Sequence, residues 1–231
     1  YSMAFTQYGS VWYLFMGTGG INAGDGLIYG NVFTSASSPG LVSNNVADSF
    51  PTGAKEVRTI TSPSSGVFVF GIYGTSGSLG EVWRYNIVTI TWTKLGDSAN
   101  PSPATMTTPY SAGYDAVNSI AYVGSTMYAA FGAGTGDGDV WKCTVSGSNC
   151  WTASSGLVWT FVGGDATGWA ATTEIRSITT DGTTLWVAVP SQGVFSYNGS
   201  TWSSRWDGSS NTYPSSNSIL ADSTYVYYGN E

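Results

Sequence analysis

Histidine is absent from this 231-residue sequence, and charged residues make up only 9% of it. The first absence removes every histidine-based nucleophilic triad. Positive charge is scarce: seven Lys and Arg against 14 Asp and Glu leave a net charge of −7. Nucleic-acid binding needs a basic footprint, and an anionic membrane surface would repel such a chain. Long apolar runs are missing as well. The longest, such as Val67 to Tyr73 and Val11 to Met16, have the length of a strand. They fall far short of the roughly 20 residues that span a bilayer. No leader segment is visible and the first residue is Tyr1, which fits a processed product or a piece of something longer.

Cysteine is nearly absent too. Cys143 and Cys150 are the only two, separated by six residues of turn-rich sequence. A metal site wants more ligands than this pair, and there is no histidine to complete one. A disulfide closing a hairpin is the expected arrangement, and it implies an oxidising compartment.

What is present is aromatic and hydroxylated. Hydrophobic residues reach 42%, aromatics 15%, with ten Trp and 31 Gly. That much aromatic surface argues for dense burial and against disorder. Ser, Thr, Asn and Gly supply the polarity that charge does not, a surface chemistry common outside cells. A single all-β domain over residues 1–231 accommodates this length.

Repetition is the strongest signal. Val57-Arg58-Thr59-Ile60, Val117-Asn118-Ser119-Ile120 and Ile175-Arg176-Ser177-Ile178 match closely. Ser216-Asn217-Ser218-Ile219 is a fourth copy and Tyr1-Ser2-Met3-Ala4 a degenerate first, so the Ser/Thr anchors fall at 2, 59, 119, 177 and 218. Each anchor is followed by an apolar-aromatic run, then a glycine-rich loop. Two further short runs follow, typified by Glu81-Val82-Trp83-Arg84-Tyr85-Asn86 and Thr91-Trp92-Thr93-Lys94-Leu95-Gly96. These segments are rich in aromatic and β-branched residues and bounded by turn formers. No window carries a helical period.

Four short strands (a, b, c and d) per unit of roughly 40–60 residues describe propeller blades. The expected fold is all-β, a β-propeller of about five four-stranded blades. The units start near 1, 56, 116, 174 and 216. The first lacks an evident d strand, and the last stops after strand b. The Trp83, Trp92, Trp141, Trp159, Trp186 and Trp202 stripe is expected in the inter-blade core.

The stretch Glu81 to Asn86 followed by Thr91 to Asp97 resembles extracellular prokaryotic propeller repeats of the E-V-W-R-Y-N…T-W-T-K-I-G-G-D kind. Asp139 to Lys142 followed by Val158 to Asp165 is a second copy. The repeats are more broadly similar to kelch-like and tachylectin-like propellers. The resemblance implies a fold and a surface location, and no particular ligand.

In an up-and-down blade the a–b and c–d turns share one face, and the b–c and d–a loops the other. The a–b and c–d turns are mostly tight, as at Gly124-Ser125, Asp181-Gly182 and Asn198-Gly199. The opposite loops are longer, and long loops on a rigid scaffold are the usual place for binding residues. The candidate ligand-binding residues on that face are Asp97, Asp165 and Asp207 at the d–a loop starts, with Trp169 and Trp206 as stacking surfaces. Repeated Asp also serves as a turn cap through its own backbone hydrogen bonds. Arg58 and Arg176 join the candidates near the central channel, although Glu56 and Glu174 two residues before them point to scaffold ion pairs. Asp25, Asp137 and Asp139 are the candidate Ca²⁺ ligands, without the spacing of a known calcium loop. No other cofactor is expected. Asn198-Gly199-Ser200 is a glycosylation sequon.

The function that fits is an extracellular or cell-surface binding or structural module without catalysis. Its expected partners are glycans or other surface proteins, with self-association in scope. A carbohydrate-binding lectin with repeated sites is the alternative. A glycoside hydrolase or lyase is a weaker fit, because it needs two carboxylates aimed at one bond, and these acids follow the repeat instead.

Overall fold

The computed structural model describes residues 2–17, 28–34, 42–45, 55–74, 80–97, 116–132, 138–145, 159–164, 175–190, 192–206 and 218–229. All regular structure among them is strand, so the chain is all-β. Among the described residues no helix is long and apolar enough to cross a membrane.

Four strands form the first sheet in the order β1 (Ser2–Tyr8), β2 (Val11–Gly17), β3 (Ile28–Thr34) and β4 (Val42–Asn45). Next come β5 (Lys55–Ser64), β6 (Val67–Gly74), β7 (Glu81–Asn86) and β8 (Thr91–Asp97), each antiparallel to the one before. The same meander recurs in β9 (Ala116–Val123), β10 (Thr126–Gly132), β11 (Asp139–Thr144) and β12 (Thr160–Gly163). A single bridge, Tyr73 to Ala116, joins these two meanders into one eight-stranded sheet. A further four-stranded sheet holds β13 (Ser177–Thr180), β14 (Leu185–Val189), β15 (Gly193–Tyr197) and β16 (Trp202–Trp206). Last is the pair β17 (Ser218–Ala221) and β18 (Val226–Gly229).

The first unit does contain a fourth strand, β4, paired with β3 through Val42 and Asn45. Its Val-Ser-Asn-Asn sequence carries none of the aromatic signal that marks the other outer strands. The third and fourth strands of each of the next three units share a bulge, at Val82/Trp83, Val140/Trp141 and Val194/Phe195.

The core lies between consecutive units rather than within one. Side chains alternate across a strand, so each sheet can offer an apolar face on both sides. Phe15 of the first unit packs with Val57, Ile60, Phe68 and Phe70 of the second. Val69, Val82 and Leu95 of the second pack with Val117, Ile120 and Trp159 of the third. Ala121, Tyr128 and Val140 of the third pack with Ile175, Ile178 and Leu185 of the fourth. Ala188 and Val194 of the fourth pack with Ile219 of the fifth. The order of units along the chain is therefore their order in space.

Trp141, Trp159 and Trp83 are buried; Trp92, Trp186 and Trp202 are half-buried and pack against the same clusters. Cys143 is buried on β11, and Cys150, its partner in the expected disulfide, lies outside the described residues.

Candidate functional site

Three layers of polar residues recur from unit to unit, and the repeat motifs supply all three. The innermost is built by the Ser/Thr anchors. The Ser2 hydroxyl accepts the backbone N–H of Ile60 at 2.8 Å. Ser119 accepts the N–H of Ile178 at 3.1 Å and donates to its carbonyl at 3.2 Å. Ser177 accepts the N–H of Ile219 at 3.2 Å. In each case a serine reaches the residue that follows the anchor of the next unit. The Ser-Ile dipeptide recurs because one residue binds forward and the other packs backward.

The outermost layer rests on tryptophan. The Trp159 indole N–H donates to the Leu95 carbonyl at 2.9 Å, and that of Trp202 to the Val162 carbonyl at 2.8 Å. Each acceptor precedes a glycine. A Cβ on Gly96 would sit 2.5 Å from the Trp159 Nε1, and one on Gly163 2.6 Å from the Trp202 Nε1. Gly96 near the end of β8 and Gly163 at the end of β12 are thus notches for the indole of the next unit. Trp206 occupies that position on β16, paired with Val194 as Gly96 is with Val82 and Gly163 with Val140.

The third layer closes the tight turns. Asn198 Oδ1 accepts the backbone N–H groups of Ser200 and Thr201, at 3.0 and 2.9 Å, and the Ser200 hydroxyl at 3.0 Å. Asp181 does the same for Thr183 and Thr184, and its Oδ2 accepts the Trp186 indole N–H at 3.0 Å. Asp222 and Asn86 cap their turns likewise. Partial burial pushes the Asp181 carboxyl up, but the hydrogen bonds from Trp186, Thr183 and Thr184 outweigh it and hold the group well below the usual carboxylate range. The Asp222 carboxyl is also held down, by the Tyr225 and Thr224 backbone N–H groups.

The opposite face, where the b–c and d–a loops leave, carries the candidate ligand residues. Arg58 pairs with Glu56 at 3.2 Å, stacks over the Tyr73 ring at 4.5 Å and reaches Asn118 Oδ1 at 3.4 Å. Asn118, buried, passes the connection on by donating to the Ile175 carbonyl at 3.0 Å. Arg58 is thus wired across three units. Arg176, one residue before its anchor as Arg58 is, is exposed at the same rim. Beneath the rim, buried Glu81 accepts the Trp83 indole N–H at 2.8 Å and pairs with Lys94 at 3.0 Å. Asp139, the register equivalent of Glu81, is buried beside Gly164, where a Cβ would collide with its carboxylate.

Of the other candidates, Asp97 ends β8 with its backbone opposite Glu81, and Trp206 ends β16. The side chains of both, and all of Asp165, Trp169 and Asp207, lie outside the described residues. So do Asp25 and Asp137. Among the described residues no group of three His, Cys, Asp or Glu converges to hold a metal ion. The sequon residue Asn198 is exposed on the tight-turn face, its Oδ1 engaged as above. Asn118 was not singled out by sequence. Its place just before an anchor, shared with Arg58 and Arg176, is the signal that could have found it.

No family model and no curated protein matches this chain. Solved structures do. The extracellular domain of a putative one-component system from B. thetaiotaomicron matches with a TM-score of 0.57 at 14% identity, covering 98% of this chain and 26% of that one. A chain of a mitotic checkpoint complex matches with a TM-score of 0.50 at 12% identity, covering 95% of this chain and 55% of that one. The β-propeller domain of the Trilobed protease from Pyrococcus furiosus is also found, with a TM-score of 0.32 at 8% identity, covering 97% of this chain and 75% of that one. The chain spans about a quarter and about half of the first two. The first two likenesses, at 14% and 12% identity, are likenesses of fold alone.

Proposed function

We propose that the chain is an extracellular β-propeller module of about five four-stranded blades, the fifth represented by its two inner strands, and that it works by binding rather than by catalysis. One observation carries the reading. The polar residues that recur with the repeat each hold the scaffold together. Ser2, Ser119 and Ser177 stitch inner strands, Trp159 and Trp202 clamp outer ones, and Asp181, Asn198 and Asp222 fold turns. Chemistry distributed by repeat symmetry in this way is scaffolding. Glycosidic catalysis needs instead two unlike carboxylates roughly 5–10 Å apart across one bond.

A scaffold so stitched leaves recognition to the loops it presents. The b–c/d–a rim carries the exposed Arg176 and the wired Arg58, with the acids Asp97, Asp165 and Asp207 as further contacts. Partners of this face are surface proteins or glycans. Low charge, abundant hydroxyls and the extracellular placement of one fold neighbour support a location outside the cell.

The test uses the purified 231-residue chain in two assays, a panel of chromogenic 4-nitrophenyl glycosides and a glycan array. The reading expects no turnover. Turnover that disappears on substitution of Asp97 or Asp165 overturns it. Array binding that drops with Asp97→Ala plus Asp165→Ala, and not with Asp222→Ala on the opposite face, assigns the partner to the glycan class.

A further inference from the structure

The inner strands of the second and third units each contain a β-bulge, and both bulges fall on the residue before the anchor. On β5, Val57 pairs with Ile72 and Thr59 with Gly71, which leaves Arg58 as the extra residue. On β9, Val117 pairs with Phe131 and Ser119 with Ala130, which leaves Asn118 as the extra one. Arg176 holds the same position in the fourth unit, directly ahead of β13. Strict alternation would put residue 58 on the face of Ile60 and residue 118 on that of Ile120, and both isoleucines are buried between units. A bulge breaks the alternation and re-aims the side chain it carries, which is why bulges are frequent beside active sites. Arg58 thereby escapes the core that Ile60 enters, and its side chain is 34% exposed.

Positive charge follows the same line. Of the seven Lys and Arg, Arg84, Lys94, Lys142 and Arg205 lie on third and fourth strands. Lys55, Arg58 and Arg176 all stand where an inner strand begins. The Arg58 guanidinium is positioned from three sides, by Glu56 at 3.2 Å, the Tyr73 ring at 4.5 Å and Asn118 Oδ1 at 3.4 Å. Asn118 in turn bonds the carbonyl of Ile175, the chain neighbour of Arg176. The bulge position thus recurs along three consecutive inner strands, as Arg, Asn and Arg.

We propose that Arg58 and Arg176 bind the carboxylates of an acidic glycan, a saccharide built from uronic acids. A guanidinium offers a planar fork of N–H donors that matches a carboxylate bidentately. A uronic acid oligomer carries a carboxylate on each ring, so one chain can engage more than one inner strand. A protein partner wants large apolar anchors at the centre of its site. On units two to four, the large hydrophobics exposed among the described residues are Val88 and Ile90, and both lie in the β7–β8 turn on the opposite face. Glu56, 37% exposed, shares the Arg58 guanidinium, so its carboxylate competes with that of the ligand. The inference rests on the binding-module reading above and names the class of glycan.

Isothermal titration calorimetry of the whole chain with oligomers of galacturonic acid tests this. The comparators are the neutral galactose oligomer of the same length and a poly-glutamate peptide of matched charge. The acidic saccharide should bind, and both comparators at least about tenfold more weakly. Arg176→Gln, a substitution at an exposed position, should keep the melting temperature and weaken binding about tenfold. Glu56→Gln should tighten binding severalfold, because a like charge leaves the site; a pair that serves the scaffold alone gives no such gain. Lys142→Gln, on a third strand, should change nothing. No binding of the acidic oligomer, equal affinity for poly-glutamate, or affinity untouched by Arg176→Gln overturns the inference. If the neutral oligomer binds and the acidic one does not, the acidic assignment falls while the binding module stands. Cleavage of either oligomer overturns the non-catalytic reading itself.

Discussion

A single methyl group at position 96 should be among the most damaging small changes the fold can receive. Gly96 lies outside the left-handed region of backbone space, so alanine meets no conformational penalty there. The cost is steric. The added Cβ would approach Trp159 Nε1 to 2.5 Å and its Cδ1 and Cε2 to 3.2 Å. The indole cannot swing away freely, because Trp159 is 1% exposed and meets Phe131 edge-on at 5.9 Å. Shifting it breaks the bond to the Leu95 carbonyl. Overpacking a core costs about 1–3 kcal/mol, and a buried polar group left without its partner costs about 1–3 kcal/mol. Because the two strains relax together, Gly96→Ala should cost about 2–4 kcal/mol. For a domain of this size that is about 4–16 °C in melting temperature, at roughly 2–4 °C per kcal/mol.

The assay is urea denaturation of a double-mutant cycle. Trp159→Phe alone should also destabilise, by loss of the donor and of volume. The pair should cost less than the sum, with a coupling of about 1–2 kcal/mol, since the smaller ring vacates the space the methyl needs. Additivity within about 0.5 kcal/mol would refute the notch-and-indole account of the repeat.

Other outcomes follow from the same geometry. Ser119→Ala removes both bonds to Ile178 and should lower stability by about 1–2 kcal/mol in urea, with Ser203→Ala on exposed β16 as the silent control. The Asp181 carboxyl is depressed in the folded chain, so its contribution is present above the ordinary carboxylate range and is lost as pH falls below it; Asp181→Asn should flatten the decline of the urea midpoint on acidification, and an unchanged acid limb would contradict this. Ile90 is held at a φ of 54° on an exposed turn, so Ile90→Gly should stabilise by a few tenths to about 1 kcal/mol, read as a higher melting temperature. Iodoacetamide should leave the denatured, unreduced chain unlabelled by mass spectrometry, because Cys143 and Cys150 are expected to be joined; two labels would remove the bridge.

The repeat was legible because aromatic-rich strands recur in every unit and a Ser/Thr-Ile pair recurs in the last four. The outer strand β4 was not, since Val42-Ser-Asn-Asn has no aromatic position to read. The indole stripe could be placed in the core from composition, but the acceptor of Trp159 lies 64 residues away and that of Trp202 40 away. Only the fold brings such pairs together, and the need for glycine at 96 and 163 is invisible until it does. The Glu56–Arg58 pair was local enough to foresee, whereas the reach of Arg58 to Asn118, 60 residues on, was not. Turn capping by aspartate was foreseen as chemistry for Asp97, Asp165 and Asp207; the structure displays it at Asp181 and Asp222, on the opposite face.

Central to the fold is the clamping of consecutive units through indole N–H bonds from one outer strand to the next. Hydrogen exchange of the indole protons, followed residue by residue in ¹⁵N–¹H correlation spectra, tests it most directly. Trp159 and Trp202 should exchange only as fast as the whole fold opens, and far more slowly than solvent-facing indoles. Exchange of either proton within the dead time of the experiment, in a chain that remains folded, would contradict it.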